Sequence, residues 1–302
     1  MKYVIISIGG DNMHKVKVKG ILSNNNGMNL YRGCLHGCIY CDSRSKCYHM
    51  EHDFEDVEVK ENALVLLENT LKTKRKKCMI GMGSMTDPYI PLEKQLQHTR
   101  NALQIINKYH FGATLITKSN LVLRDLDIIK QINDYSKCVI QITITTMDEQ
   151  LCKIIEPNVS STKERIEVLK QLQHENIPTI VWLTPILPYL NDAEENITKI
   201  IDVCHETGVK GIICFNMGLT LREGNREYFY DNLDKYFPGL KERYINKYHD
   251  SYFINSPNNT KLMKLFHQKC SEYNMMHHPD IIFKYLQTYQ SNHGAKQLSL
   301  FD

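Results

Sequence analysis

The sequence has no uninterrupted apolar stretch approaching the roughly 18 residues a membrane helix requires. Its opening, Met1-Lys2-Tyr3-Val4-Ile5-Ile6, lacks the longer apolar segment and small-residue cleavage site of a secretory signal, so the expected location is cytoplasmic, with no membrane partner. Glycine and proline number 15 and 9 in 302 residues, too few for a collagen-like or linker-dominated chain. Neither sign of charge dominates: 37 Lys and Arg stand against 34 Asp and Glu, a formal net charge of +3. A dedicated nucleic-acid binder usually concentrates more positive charge than this. The one basic run, Lys72-Thr73-Lys74-Arg75-Lys76-Lys77, suits a helix end, where cations meet the negative pole of the dipole. What is present, 42% hydrophobic and 24% charged residues, belongs to one large globular domain or two small ones with a real core.

Between residues 60 and 215, strand-like and helix-like patterns alternate. Helical spacing over 60–74, 92–109, 123–133 and 161–174 separates short apolar runs at 78–83, 113–117, 138–145 and 179–185. Asp192 then caps a helix reaching about residue 206, and 210–215 is the last strand. With a short strand just before Cys34 the pattern gives six βα units. Continuous apolar strands joined by crossover helices require a parallel sheet covered on its faces. A doubly wound sheet and a partial or full barrel both fit, and in either the chemistry belongs at the C-terminal strand ends. Polar residues gather at those ends, in 84–87, Lys118-Ser119, Thr145-Thr146 and Asn191-Asp192. Residues 1–29 read as a small N-terminal β extension, 30–219 as the alternating domain, 220–286 as a helical extension and 287–302 as a flexible polar tail.

Cysteine carries the sharpest signal. Ten cysteines in a chain expected in the cytoplasm are not a disulfide framework, and seven of them are dispersed, as small apolar side chains would be. The other three stand together in Cys34-Leu35-His36-Gly37-Cys38-Ile39-Tyr40-Cys41, spaced C-x3-C-x2-C. Three thiolates this close can cap three corners of one metal centre. An iron–sulfur cubane normally takes four cysteines. Three leave one iron open to bind a substrate as a Lewis acid, as an open zinc position does. A structural Cys3His zinc site, with His36 or Cys47 as fourth ligand, also fits, although zinc more often uses two C-x2-C pairs and no second compact group is present. His277-His278 has ligand chemistry but no partner nearby in sequence, and reads as a surface pair.

The segment from Leu30-Tyr31-Arg32-Gly33 through Cys41 resembles the signature of radical S-adenosylmethionine (SAM) enzymes, and more narrowly that of their spore photoproduct lyase-like branch, also called DNA repair photolyase-related. Gly81-Met82-Gly83-Ser84-Met85-Thr86-Asp87-Pro88-Tyr89, with Pro91 and Glu93, resembles that branch's second-strand motif. Thr117-Lys118-Ser119, Glu156-Pro157 with Arg165, Pro185-Ile186-Leu187-Pro188 with Asn191-Asp192, and Thr220-Leu221-Arg222 resemble later blocks, so the likeness covers roughly residues 30 to 260.

The resemblance implies a partial (β/α)6 TIM-type barrel with a [4Fe-4S] cluster at its open end. It further implies reductive cleavage of SAM to methionine and a 5′-deoxyadenosyl radical, which abstracts hydrogen from a substrate; DNA or a nucleic-acid-linked substrate is the leading expectation, and the alternatives are a protein or small molecule, or a non-catalytic metal-stabilised module docking on the sliding clamp. Position by position, it implies Cys34, Cys38 and Cys41 as iron ligands, Tyr40 beside the adenine, Thr86 at the methionyl amino group, Lys118 paired with the carboxylate and Thr143 facing the ribose. A reducing partner such as flavodoxin or ferredoxin goes with that chemistry. One departure stands out. Spore photoproduct lyase itself carries a hydrogen-donating cysteine near the second-strand motif, and Ser84 occupies the corresponding place here. A hydroxyl is a far poorer hydrogen-atom donor than a thiol, so the resemblance extends to the chemistry rather than to thymine-dimer reversal. Near the C-terminus, Gln297-Leu298-Ser299-Leu300-Phe301 resembles the short motif by which bacterial polymerases and repair proteins dock on the DNA sliding clamp, with Leu300 and Phe301 as apolar anchors. Such a tether would bring a weakly charged enzyme to DNA by raising its effective concentration.

Overall fold

The structure, a computed structural model, describes residues 6–8 and 11–292, with side chains described from residue 13 onward. In chain order the strands are β1 (Ile6–Ile8), β2 (Asp11–Val16), β3 (Gly27–Met28), β4 (Tyr31–Arg32), β5 (Val57–Lys60), β6 (Met79–Met82), β7 (Gly112–Thr117), β8 (Cys138–Thr143), β9 (Thr179–Trp182), β10 (Gly211–Ile213), β11 (Gly218–Thr220) and β12 (Phe253–Asn255). The helices are α1 (Ala63–Thr73), α2 (Glu93–Leu96), α3 (His98–Lys108), α4 (Leu126–Tyr135), α5 (Glu149–Ile155), α6 (Thr162–His174), α7 (Glu194–Glu206), α8 (Asn225–Tyr236), α9 (Leu240–Tyr248), α10 (Asn259–Glu272) and α11 (Pro279–Gln287).

The alternating region folds as expected from its pattern, into a six-stranded sheet of order β10-β9-β8-β7-β6-β3 in which every pairing is parallel. Among the described residues β3 and β10 do not pair with each other, so the barrel is partial. Along β8 the alternation is strict. Cys138, Ile140 and Ile142 join the core under the helices, whereas Val139 packs on the opposite face with Ile180 and Ile213. β1, β2, β5 and β4 form a separate four-stranded sheet.

Several expected elements end differently, each for a physical reason. The strand immediately before Cys34 is β4, which pairs with β5; the sixth strand of the parallel sheet is β3, a few residues earlier. The helix expected over 92–109 is broken at Gln97, which adopts a left-handed φ of 52°. The break lets the buried Glu93 carboxylate accept the Thr99 N–H at 3.1 Å, at the positive end of α3. The strand expected over 138–145 stops at Thr143, because the Asn191 and Asn196 amides take the Thr145 carbonyl at 2.9 and 3.0 Å. Asp192 does not cap the following helix: Ala193 precedes its first turn, and the Asp192 carboxylate accepts from the Tyr189 N–H at 2.8 Å and from the Ser256 hydroxyl. The helix α5 lies where only a strand-to-helix loop was expected. It is capped by Asp148, which accepts from the Gln150 and Leu151 amides.

Two features of the C-terminal region position the site. β11 and β12 form an antiparallel pair beyond the end of β10. α11 lies on the inner face of the parallel sheet, with Ile282 and Leu286 against Val139, Ile180 and Ile213. Just past α11, Tyr289 donates to the His110 carbonyl and Asn292 donates to the Asn133 carbonyl, so residues 289–292, within the stretch read as a tail, are held across the N-terminal strand ends. The motif Gln297 to Phe301 lies outside the described residues.

Candidate functional site

At the C-terminal strand ends lies a cavity of about 450 Å³. The cysteine loop, the segment after β6, the end of β7 and the end of β8 all reach it, and Cys34, Cys38, Cys41, Tyr40, Lys118 and Thr143 line it. Six of the seven residues expected at a site therefore converge. The seventh, Thr86, does not line it, although its neighbours Met85 and Asp87 do, and its buried hydroxyl has no hydrogen-bond partner among the described residues. Positive φ at Gly33 and Gly37, 87° and 69°, lets the loop fold tightly; a Cβ on Gly33 would stand 2.6 Å from the Phe54 carbonyl oxygen.

Burial governs the thiols. It pushes Cys38 up to about 12 despite the nearby Lys118 ammonium, and it pushes Cys34 well above the ordinary range, with Cys41 and Cys38 adding to the effect. Two buried thiols that burial holds back from ionising, with the half-buried Cys41 beside them, suit a cationic centre that would remove those protons. Three thiols of one short loop, all opening on one cavity, are the donor set of an iron–sulfur centre with one iron left open.

Neither candidate for a fourth zinc ligand is free to serve. His36 Nδ1 contacts the Asn158 carbonyl at 3.0 Å and Nε2 lies 3.1 Å from Asp87. Cys47 is exposed beside the Arg222 guanidinium at 3.1 Å and does not line the cavity.

A buried polar cluster stands behind the loop. The Tyr40 hydroxyl donates to Glu156, Arg165 forms an ion pair with the same carboxylate, and Arg165 also donates to the Thr143 carbonyl at 2.8 Å. Burial alone would raise Glu156; the Arg165 and Lys118 charges outweigh it and hold the carboxyl below its usual range. Lys118 lies with its ammonium 5.8 Å from the Tyr40 ring centroid. Burial works to lower it, yet Cys38, Glu156 and Asp87 together keep it above the ordinary lysine value. Asp87 accepts the Lys118 backbone N–H at 2.8 Å and the Thr117 hydroxyl at 2.7 Å, so the carboxylate fixes the strand end that presents Lys118.

Sequence reasoning passed over a second group. Trp182 Nε1 donates to Gln141 Oε1 at 2.7 Å, and Gln141 Nε2 donates to Thr114 Oγ1 at 2.8 Å, a polar chain across the inner faces of β9, β8 and β7. The signal was present: one glutamine in the otherwise apolar start of Cys138-Val139-Ile140-Gln141-Ile142, and the single tryptophan of the chain. These residues wall a second cavity of about 890 Å³ that also receives Asn24–Asn26, Lys74, Lys76 and the C-terminal end of α11. The two cavities share Ser84, Ile116 and Trp182. Phe215 and Phe253, 49% and 62% exposed, stand at the mouth of the first.

Comparison with known proteins agrees with this geometry. A family model of the radical SAM superfamily matches residues 28–201. An uncharacterized protein of Methanocaldococcus jannaschii is 38% identical over 169 residues, 55% of this chain and 62% of that protein. One of Mycobacterium tuberculosis is 25% identical over 227 residues, 73% of this chain and 66% of its own length. The chain thus matches just under two thirds of the length of these relatives. Among solved structures, a cysteine-to-serine mutant of spore photoproduct lyase superposes with a TM-score of 0.63 at 13% identity, over 87% of this chain and 80% of that one. Another mutant of that lyase, with bound AdoMet and a dinucleoside spore photoproduct, gives 0.59 at 12% identity over 87% and 80%. At these identities the likeness is one of fold.

Proposed function

The chain belongs to the radical SAM superfamily, whose members use a [4Fe-4S] cluster and SAM, and on that premise we propose that it is a radical SAM enzyme acting on a nucleic-acid-linked substrate. The observation that carries the proposal is the convergence of three thiols, two of them buried, with Lys118 and Thr143 on one cavity at the C-terminal strand ends. In this reading Cys34, Cys38 and Cys41 hold the cluster. When bound, the cluster supplies the electron that splits SAM into methionine and a hydrogen-abstracting 5′-deoxyadenosyl radical.

The protein's own residues do the rest. Lys118, kept charged by Glu156 and Asp87, pairs with the SAM carboxylate. Thr86 carries an unused hydroxyl, and the resemblance assigns it to the methionyl amino group. Tyr40, its hydroxyl tied to Glu156, presents its ring as a fixed surface for the adenine. Thr143, its carbonyl held by Arg165, faces the ribose. Water exclusion follows from the burial of Cys34, Cys38 and Tyr40, which favours charge-assisted contacts over solvation. The exposed Phe215 and Phe253 supply stacking faces for an unpaired base at the cavity mouth. A reductant such as flavodoxin or ferredoxin would deliver the electron, and Gln297 to Phe301 would recruit the enzyme to the sliding clamp.

Anaerobically prepared and reduced protein is expected to release 5′-deoxyadenosine from SAM, and Cys38→Ala to release none while keeping its far-ultraviolet dichroism. Stoichiometric zinc and no product from protein isolated without oxygen would end this reading. Deleting residues 297–302 is expected to abolish clamp retention; unchanged retention would leave a protein or small-molecule substrate as the better alternative.

A further inference from the structure

Three imidazoles meet where the helix α10 and the start of α11 come together. His267 lies on α10, His277 precedes α11 and His278 is the residue at its N-terminal cap. One ring nitrogen of each lies within 4.8 Å of the others. The ring centroids of His277 and His278 are 4.4 Å apart, and His267 stands 5.2 and 5.5 Å from them.

The hydrogen bonding of the three rings is incomplete in a directed way. His277 Nδ1 lies 3.0 Å from the Met275 carbonyl, which can only accept. Nδ1 therefore carries the proton, and Nε2 is left with its lone pair, the arrangement by which a second contact orients a metal-ligating imidazole. His267 Nδ1 is buried with no partner at all. His278, at the N-terminal cap of α11, makes no side-chain hydrogen bond to the helix amides. The other histidine cluster of the described residues is different: His14 and Asp56 are 3.0 Å apart and His52 meets Glu58 at 2.9 Å, so carboxylates already occupy those rings.

We propose that His267, His277 and His278 form a second metal site, for a divalent transition ion of the zinc type, which fastens α11 to α10. Three imidazole nitrogens suit zinc, whose bonds to histidine are about 2.0–2.1 Å; the rings need only close up slightly around the ion. The position has a structural meaning. The neighbouring Met276 pairs with Gly211 along the free edge of β10, and α11 forms a wall of the second cavity. An ion here would lock the element that covers the inner face of the sheet.

The test is titration of the full chain, stripped by chelator, with Zn²⁺ alone, and with Co²⁺ as a spectroscopic substitute. Thiolate ligation of cobalt gives sulfur-to-metal charge-transfer absorption, which imidazole ligation lacks. The expected result is one equivalent per chain free of that absorption and retained in Cys38→Ala. Its affinity should fall by at least about 100-fold in His267→Gln and in His278→Gln, more than the loss of a supporting residue costs. Zinc should raise the melting temperature of the wild type and of Cys38→Ala but not of the histidine variants. His278 is exposed, so its replacement is expected to leave the metal-free fold intact even if His267→Gln does not. Equal affinity in wild type and His278→Gln, or binding only at millimolar zinc, would overturn the proposal. Loss of cluster chemistry in Cys38→Ala does not bear on this site, so the two readings fail separately.

Discussion

Glu156 joins three of the residues that matter most, because its carboxylate takes the Tyr40 hydroxyl and the Arg165 guanidinium while facing Lys118. Arg165 is nearly inaccessible, so removing its charge strands a buried carboxylate. Arg165→Leu is expected to lower stability by about 3–5 kcal/mol, read as a shift in the urea unfolding midpoint. A smaller effect belongs to Trp182→Phe, which deprives Gln141 Oε1 of its donor and should cost about 1–3 kcal/mol by the same measurement. The cysteines were legible in the sequence because three thiols in one short loop have few other physical uses. Glu156 and Arg165 were visible only as part of a resemblance, since charged side chains in a helical stretch read by default as solvated. Asp87 and His36, which brace the segments carrying Lys118 and the thiols, pair across 51 positions, a separation no local pattern reveals.

At the level of elements, the periodicity of the apolar residues was enough to locate every strand of the parallel sheet from β6 to β10. Ends were less legible, because they depend on side chains from elsewhere: Glu93 breaking the helix ahead of α3, Asn191 and Asn196 ending β8. The packing of α11 was hidden for a similar reason, since an amphipathic helix does not announce which apolar surface it will cover. Ile282 is fully buried against three strands, and Ile282→Ala is expected to cost about 2–5 kcal/mol in thermal or urea unfolding. Lys137, whose ammonium donates to the Tyr285 carbonyl in the same helix, makes α11 sensitive to alkali. Burial lowers this lysine from 10.5 to about 8, so the folded chain gives up the proton before the unfolded chain does. Below about pH 8 both states hold it and the cost of burying the cation is constant. As pH rises from about 8 toward 10.5 that cost is relieved and stability should rise, a slope that Lys137→Met should remove from the pH dependence of the unfolding midpoint.

Over the whole molecule, the partial barrel encloses two cavities that meet at Ser84, Ile116 and Trp182. One reaches the cysteine loop and the other reaches Lys74, Lys76 and α11, so opposite regions of the structure are linked through one shared wall. The parallel architecture was legible because alternation of strands and helices leaves few topologies; the partition of its interior was not, since that depends on where the C-terminal extension comes to rest. Trp182, in the shared wall, is the only tryptophan in the chain. The protein therefore carries a built-in optical probe at the junction of its two cavities. Its emission can report occupancy of either one without a label, and SAM added to the anaerobic protein should change it in proportion to binding, a signal that Trp182→Phe would silence.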